Sequence, residues 1–249
     1  LAYDAAYETI NARLDGAKKI ALLVSPMLSC EDTYLLASYV LSVNPNAMLG
    51  VGAVPFHGED KTFPGGFKMY AEKAPNARGV RRVLGKLSKN VLEFEAFTAA
   101  LQKDSSIDAL ILIGNYPSDW VTPALMNAID ANRSRFVVLI DTLRTRLCDR
   151  ADVIVPGATW AEKSGTFENA ANRLQSFERA IKPIDYCKSE AQIALDLIAA
   201  RESVSPEAFD AAAVRRTMAD KHGLAEFVND VHHPPVQHEV EPDMQLVEL

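Results

Sequence analysis

Four short runs of this chain are apolar without interruption: IALLV at 20–24, ALILI at 109–113, FVVLI at 136–140 and VIVP at 153–156. A strand with one wet face alternates polar and apolar residues. An unbroken run needs cover on both faces, which a parallel sheet receives from the helices of its crossovers. The intervening segments supply them. Residues 3–15 place Ala6, Ile10 and Leu14 at helical spacing, with Gly16 as a stop. Ser29 is a candidate N-cap, Glu31 and Asp32 suit the first turn, and the helix runs to about Val43 before Asn44-Pro45-Asn46 breaks it. AMLGVGAV reads as a further strand, VLEFEAFTAALQK as a helix from Val91, and VTPALMNAIDAN as a helix with Pro123 in its first turn. The alternation predicts an open, mostly parallel α/β sheet with helices on both faces.

Two regions depart from this rhythm. Residues 54–90 hold Pro55, Pro64, Gly65, Gly66, Pro75 and Gly79. They read as an irregular insertion with short helices around 66–73 and 78–86. The insertion carries Arg78, Arg81, Arg82, Lys86 and Lys89, either a solvated face or a docking patch for an acidic partner. After residue 183 the chain turns helical. SEAQIALDLIAARE is one helix, and SPEAFDAAAVRRTMADK a second with Ser205 as N-cap and Pro206 in first position. The acidic, proline-containing end is expected to wrap over the surface or lack order. The division expected is an α/β domain over 1–203 and a helical and extended tail over 204–249. A start at Leu1 rather than Met suggests a processed piece of a longer protein.

A net charge of -7 argues against a general nucleic-acid binder. No stretch approaches the roughly 20 apolar residues that span a bilayer, so no direct membrane insertion is expected, and the first residues do not resemble a signal peptide. Cys30, Cys148 and Cys187 are far apart and form no CxxC pair. That fits a reducing, cytoplasmic setting and gives no support for a zinc or iron–sulfur site. Cys148, beside Arg146 and Arg150, is the cysteine whose thiolate would be favoured. His232, His233 and His238 in the tail read as solvated residues, not metal ligands.

Ligands of open parallel sheets collect at the carboxyl ends of the strands. Four such ends are legible: Ser25-Pro26, Gly114-Asn115, Asp141-Thr142 and Pro156-Gly157. There is no GxGxxG and no GxxxxGK[ST], so an ordinary dinucleotide or P-loop site is not predicted. Residues 151–183 are the densest segment, with Trp160 read as a buried aromatic, Glu162-Lys163 as an acid–base pair, and amides and hydroxyls that hold a shape. Glu162 and Glu168 as paired catalytic carboxylates are a weaker reading, and no catalytic residue is assigned.

Residues 109–183 carry a resemblance. ALILIGNYP is similar to a strand ending in a Gly-x-Asn-Pro-like turn in the molybdopterin oxidoreductase superfamily. Ala151-Asp152-Val153, Pro156, Ala161-Glu162-Lys163, Gly165-Thr166-Phe167, Asn169, Arg173 and Gln175 match that superfamily's run "A-D-V-V-L-P" followed by "A-E-K-D-G-T-F-T-N-x-E-G-R-x-Q". LLVSPMLSCEDTYLLASYV resembles the strand–"T-N-E-E"–helix segment more weakly. The likeness covers roughly 18–52 and 109–200, leaving the insertion and the tail outside. It implies a Rossmann-like fold of the formate dehydrogenase/DMSO reductase middle-domain type, and within the superfamily it points to the large G-type subunit of NADH-quinone oxidoreductases. That implies a scaffold domain with partner subunits of a respiratory or dehydrogenase complex, no cofactor in this stretch, and iron–sulfur clusters elsewhere in the parent subunit. It also implies a cytoplasmic location, with those partners able to hold it at the inner-membrane face. The alternatives are a domain binding molybdopterin guanine dinucleotide, as in a formate dehydrogenase, and a non-catalytic binding module on the same fold. Ser164, Glu168 and Ala171-Asn172 depart from the signature in the turn that approaches the pterin in molybdenum enzymes. If a ligand is held, strand-end geometry and the resemblance together point to Gly114, Asn115, Thr142, Lys163, Gly165, Thr166 and Asn169.

Overall fold

The computed structural model describes residues 2–184 and 186–234. Helix α1 (Tyr3–Asp15) leads into β1 (Ile20–Val24), α2 (Cys30–Val43) and β2 (Met48–Val51). Then come the short strands β3 (Lys61–Thr62) and β4 (Lys68–Met69), α3 (Ala77–Leu87), β5 (Val91–Leu92) and α4 (Phe94–Lys103). Next are β6 (Ala109–Ile113), α5 (Pro123–Asp130), β7 (Phe136–Asp141), β8 (Val153–Pro156), β9 (Gly165–Glu168) and β10 (Leu174–Phe177). Helices α6 (Glu190–Glu202), α7 (Ala211–His222) and α8 (Glu226–Asn229) complete the described chain.

Six strands form one sheet in the order β5-β2-β1-β6-β7-β8, and every pairing in it is parallel. The chain runs outward from β1 through β2 to β5, then crosses back to build β6, β7 and β8 on the other side. The direction of winding therefore reverses between β1 and β6, the position where open α/β sheets form a ligand crevice. The expected Rossmann-like sheet is observed.

Strand residues divide cleanly between two cores. Ile20, Leu22, Val24, Ile111, Val138 and Ile140 face the layer made by α1, α2, α3, α6, α7 and α8. Ala21, Leu23, Leu110, Leu112, Val137 and Leu139 face α4 and α5. Period-two alternation with both sides apolar is why these strands read as unbroken runs. Met218, Leu224 and Phe227 belong to the first core, so α7 and α8 pack on the same layer as α2.

Some expectations need correction. Residues 66–73 are not helical. Gly65 and Gly66 adopt φ +85° and +84°, turning the chain so that β3 and β4 pair as an antiparallel hairpin. Val91 and Leu92 do not open a helix. They pair with Leu49 and Gly50 at the sheet edge, and α4 starts after Glu93. Helix α7 is not capped at Ser205. Gln192 on α6 holds the backbone of Glu207 and Phe209, and Asp210 accepts a hydrogen bond from the Ala213 N–H as the actual N-cap. Residues 165–177 form a small antiparallel hairpin of their own, β9–β10. Trp160 is not buried: it is 64% exposed. His238 and residues 235–249 lie outside the described residues.

Candidate functional site

The four predicted strand ends do lie along one edge of the sheet. At the end of β6, a Cβ on Gly114 would stand 2.1 Å from the Asp141 carboxyl carbon, so only glycine admits that carboxylate. Asn115 follows in the left-handed region, φ 71°, a conformation asparagine tolerates better than most residues. Its N–H donates to Asp141 Oδ1 at 2.9 Å, and its Nδ2 donates to the Ala158 carbonyl at 2.8 Å and to Glu190 Oε1 at 2.7 Å. Thr142 donates its N–H to the same Asp141 oxygen at 2.7 Å.

A second knot joins the starts of α2 and α6 to the β9–β10 hairpin. Ser29 caps α2, as the sequence suggested, and forms a capping box with Asp32. Asp32 Oδ1 also accepts the Ala191 N–H at 2.9 Å, within the first turn of α6. Lys163 places its ammonium between Asp32 Oδ2, at 3.1 Å, and Glu190 Oε2. All three side chains are shut off from water. Glu31 receives the Thr166 N–H and Oγ1, each at 2.8 Å, and Arg215 Nη1 at 2.9 Å. Gly165 is the close-approach residue: a Cβ there would lie 2.5 Å from that of Ser29.

Burial raises Glu190, outweighing the attraction of Lys163, and burial raises Glu31 although Thr166 and Arg215 pull it down. For Lys163, burial favours loss of the proton, but Asp32 and Glu190 more than offset it and the ammonium is held above its ordinary value. Glu31 and Glu190 therefore sit in sites that resist their charge and are stabilised by named partners.

Of the seven predicted residues, Gly114, Asn115 and Thr142 meet around Asp141. Lys163 connects to them through Glu190, which touches both Lys163 and Asn115. Gly165 and Thr166 belong to the neighbouring Glu31 knot. Asn169 stands apart in the β9–β10 turn, where it accepts the N–H groups of Ala171 and Arg173 and donates to Gln175. The reading of Glu162-Lys163 as an acid–base pair fails. Glu162 turns away to accept the Thr159 N–H and Oγ1 and the Ile184 N–H. Glu168 is engaged by Arg82 and is no partner of Glu162. That bond and a second one to Glu226 give Arg82 acidic partners while it stays exposed, and Arg81 pairs with Glu93, so two of the five residues of the expected basic face are met by the chain's own acids. Sequence reasoning missed Glu190, Asp32 as a lysine partner, and Arg215, because their contacts join distant segments.

Beside these knots opens a cleft of about 510 Å³, with Met27, Tyr116, Leu143, Trp160 and Phe167 among its walls and Asn115 at its margin. Its lining is mostly apolar. Among the described residues no group of three or more His, Cys, Asp or Glu is placed to hold a metal ion, and no helix is long and apolar enough to cross a membrane. Cys30 is buried against Asn76, and Cys148 and Cys187 are half-buried and unpaired. His233 meets Ser176 through Nδ1 at 2.9 Å.

Comparison with known proteins agrees with the motif. A nitrate reductase of Symbiobacterium thermophilum is 30% identical over 103 residues, 41% of this chain and 13% of that protein. The G-type subunit of an NADH-quinone oxidoreductase from Mycobacterium bovis is 34% identical over 84 residues, 33% of this chain and 10% of that protein. The alpha subunit of an F420-dependent formate dehydrogenase from Methanocaldococcus jannaschii is 44% identical over 48 residues, 19% of this chain and 7% of that protein. The chain thus spans about a tenth of the length of these relatives. The family model for molybdopterin oxidoreductase matches residues 65–200. The match begins inside the 54–90 segment, so α3 and its arginines fall within the likeness, contrary to the sequence reading. With more than half its length matched, this chain belongs to the molybdopterin oxidoreductase family.

Proposed function

We propose that this chain serves as a scaffold domain of an electron-transfer complex, of the kind found in the G-type subunit of NADH-quinone oxidoreductases, and has no redox centre of its own. On this reading iron–sulfur clusters lie elsewhere in the parent subunit, and partner subunits carry the domain to its place at the cytoplasmic side of a membrane. One observation carries the reading: the strand-end groups suited to a ligand's anion are spent on the chain's own carboxylates. Asp141 takes the N–H groups of Asn115, Thr142 and Leu143, and Asp32 takes those of Ser29 and Ala191 at the starts of α2 and α6. A pyrophosphate in these positions would displace a buried carboxylate and meet the charges of Asp32, Glu190 and Asp141. The residues present therefore do not fit the phosphates of a pterin dinucleotide at this edge. They do fit a role in which Lys163 pins the hairpin to α2 and α6.

The second reading, a domain that binds molybdopterin guanine dinucleotide, draws on the apolar cleft beside Asn115 and Thr142. Thermal melting with GDP as the probe separates the two. The scaffold reading expects no change in Tm at millimolar GDP beyond that of a matched salt. A saturable rise of a few degrees, the size expected of a ligand held at tenfold its Kd, would favour the second.

A further inference from the structure

Asp141 is more than a strand-end acid. Four hydrogen-bond donors from three separate stretches converge on it. Oδ1 accepts the N–H of Asn115 at 2.9 Å, of Thr142 at 2.7 Å and of Leu143 at 3.3 Å, and Oδ2 accepts Trp120 Nε1 at 2.9 Å. The indole is fixed by stacking on Tyr116, with centroids 5.2 Å apart and planes at 18°. Gly114 leaves the space the carboxylate fills. Backbone N–H groups arranged in this way form a concave nest for an anion, and the indole completes it with a donor that accepts nothing. Asp141 is 6% exposed, and it lines a groove of about 360 Å³ together with Thr142, Leu143, the exposed Arg144 and Asp149.

We infer that the Asn115–Thr142–Leu143–Trp120 donors form an oxyanion site for a phosphate- or carboxylate-sized group, which the chain keeps filled with its own Asp141. The inference deepens the scaffold reading and rests on it: the carboxylate acts as a built-in counter-anion, so the strand-end edge is complete without a ligand. Removal of the carboxylate uncovers the site. An Asp141→Ala protein has four inward-facing donors and no acceptor, so it loses stability and gains affinity for inorganic phosphate. Asp141→Asn keeps the position filled and gains none.

The test is a phosphate titration of the wild type, D141A and D141N against sodium chloride of equal ionic strength. It is read by Tm and by the two indole N–H resonances, since the chain has only Trp120 and Trp160. In D141A, phosphate is expected to raise Tm by about 3–6 °C at ten times its Kd. It is also expected to move the Trp120 resonance while that of Trp160 stays still. The wild type and D141N are expected to do neither. A folded D141A that ignores phosphate overturns the inference, as does a wild type or D141N that responds like D141A. Should D141A not fold unaided, recovery of folded protein by phosphate during refolding supports the site, and no recovery overturns it. GDP binding by the wild type would defeat the scaffold reading, whereas these phosphate results are read against the D141A variant, so the two failures are distinguishable.

Discussion

Arg135 and Lys163 are both buried cations at opposite ends of the same sheet, and they are held by opposite means. Arg135 precedes β7 at the amino edge and, among the described residues, pairs with no carboxylate. It donates to four backbone carbonyls: Ile107 at 2.8 Å, Ala128 at 3.0 Å, Ile129 at 3.1 Å and Leu101 at 3.2 Å. Leu101 lies in the last turn of α4, and Ala128 and Ile129 in that of α5, where carbonyls lack helical partners and the dipole is negative. Lys163, at the carboxyl edge, meets Asp32 and Glu190, which are themselves gathered at the positive starts of α2 and α6. Helix polarity thus supplies the amino edge with acceptors that satisfy a guanidinium directly. It supplies the carboxyl edge with donors, which attract carboxylates, and those carboxylates then require a cation. The same polarity makes the carboxyl edge of other open α/β sheets a place for anionic ligands. Here the chain meets that demand from its own sequence.

The comparison is broken most directly at Lys163. Lys163→Met leaves Asp32 and Glu190 buried face to face, and breaking a buried ion pair from one side costs about 3–5 kcal/mol. Urea denaturation is expected to show a loss in that range, and a loss under about 1 kcal/mol would mean the knot is not what holds this edge. The effect has a pH signature. Glu190 binds its proton more tightly folded than unfolded, so this group favours folding most below its ordinary 4.5 and less as pH rises through the raised value. Removing Lys163 takes away the charge that lowers Glu190, which shifts the decline to higher pH and deepens it. The gap between wild type and variant should therefore narrow as pH falls toward 4.5 and widen toward neutrality.

Arg135→Met sharpens the contrast. It strands carbonyls, not charges, so the expected loss is smaller, about 2–3 kcal/mol. Burial and the nearby Arg150 lower the Arg135 guanidinium, but arginine stays protonated throughout the usable range. The loss should be flat between roughly pH 5 and 9, and a strong pH dependence there would mean that the amino edge also relies on titrating partners. Ser29→Ala is smaller again. It removes the hydroxyl that accepts the Asp32 N–H at 3.0 Å and donates to Asp32 Oδ2 at 2.8 Å, but it leaves Lys163 with both carboxylates, so about 1–2 kcal/mol is expected from the same denaturation measurement.

The amino edge and the carboxyl edge were not equally legible in the sequence. The strands were plain because each unbroken apolar run reports cover on both faces, and the order of runs and helices then leaves few topologies. Gly114 and Asn115 were found because a glycine and an αL-tolerant residue at a strand end have local meaning. Lys163 was found through its motif but paired with the wrong acid. Adjacent residues such as Glu162 and Lys163 seldom share partners, and the true ones lie in α2 and α6. Arg135 carried no signal at all, since its four acceptors are backbone atoms that any residue supplies. The helix expected over 66–73 is absent because Gly65 and Gly66, both at positive φ, reverse the chain there, and Phe63, Phe67 and Met69 stand exposed beside the turn.

The weakest effect tests whether burial, more than pairing, sets these magnitudes. Arg81 and Glu93 form a two-pronged ion pair, with both N···O distances at 2.7 Å, better geometry than Lys163 has with Asp32. If pairing alone mattered, Arg81→Ala would rival Lys163→Met. The two side chains are, however, 36% and 55% exposed, so water and salt screen the attraction and rehydrate whichever charge is left behind. The expected loss is below about 1 kcal/mol, and smaller still in roughly 0.5 M salt. A denaturation midpoint for R81A near that of wild type, beside a large shift for K163M, would confirm that the carboxyl edge owes its stability to charges that have no water to return to. Equal losses at the two sites would remove that explanation and with it the distinction drawn between a ligand-like interior knot and an ordinary surface pair.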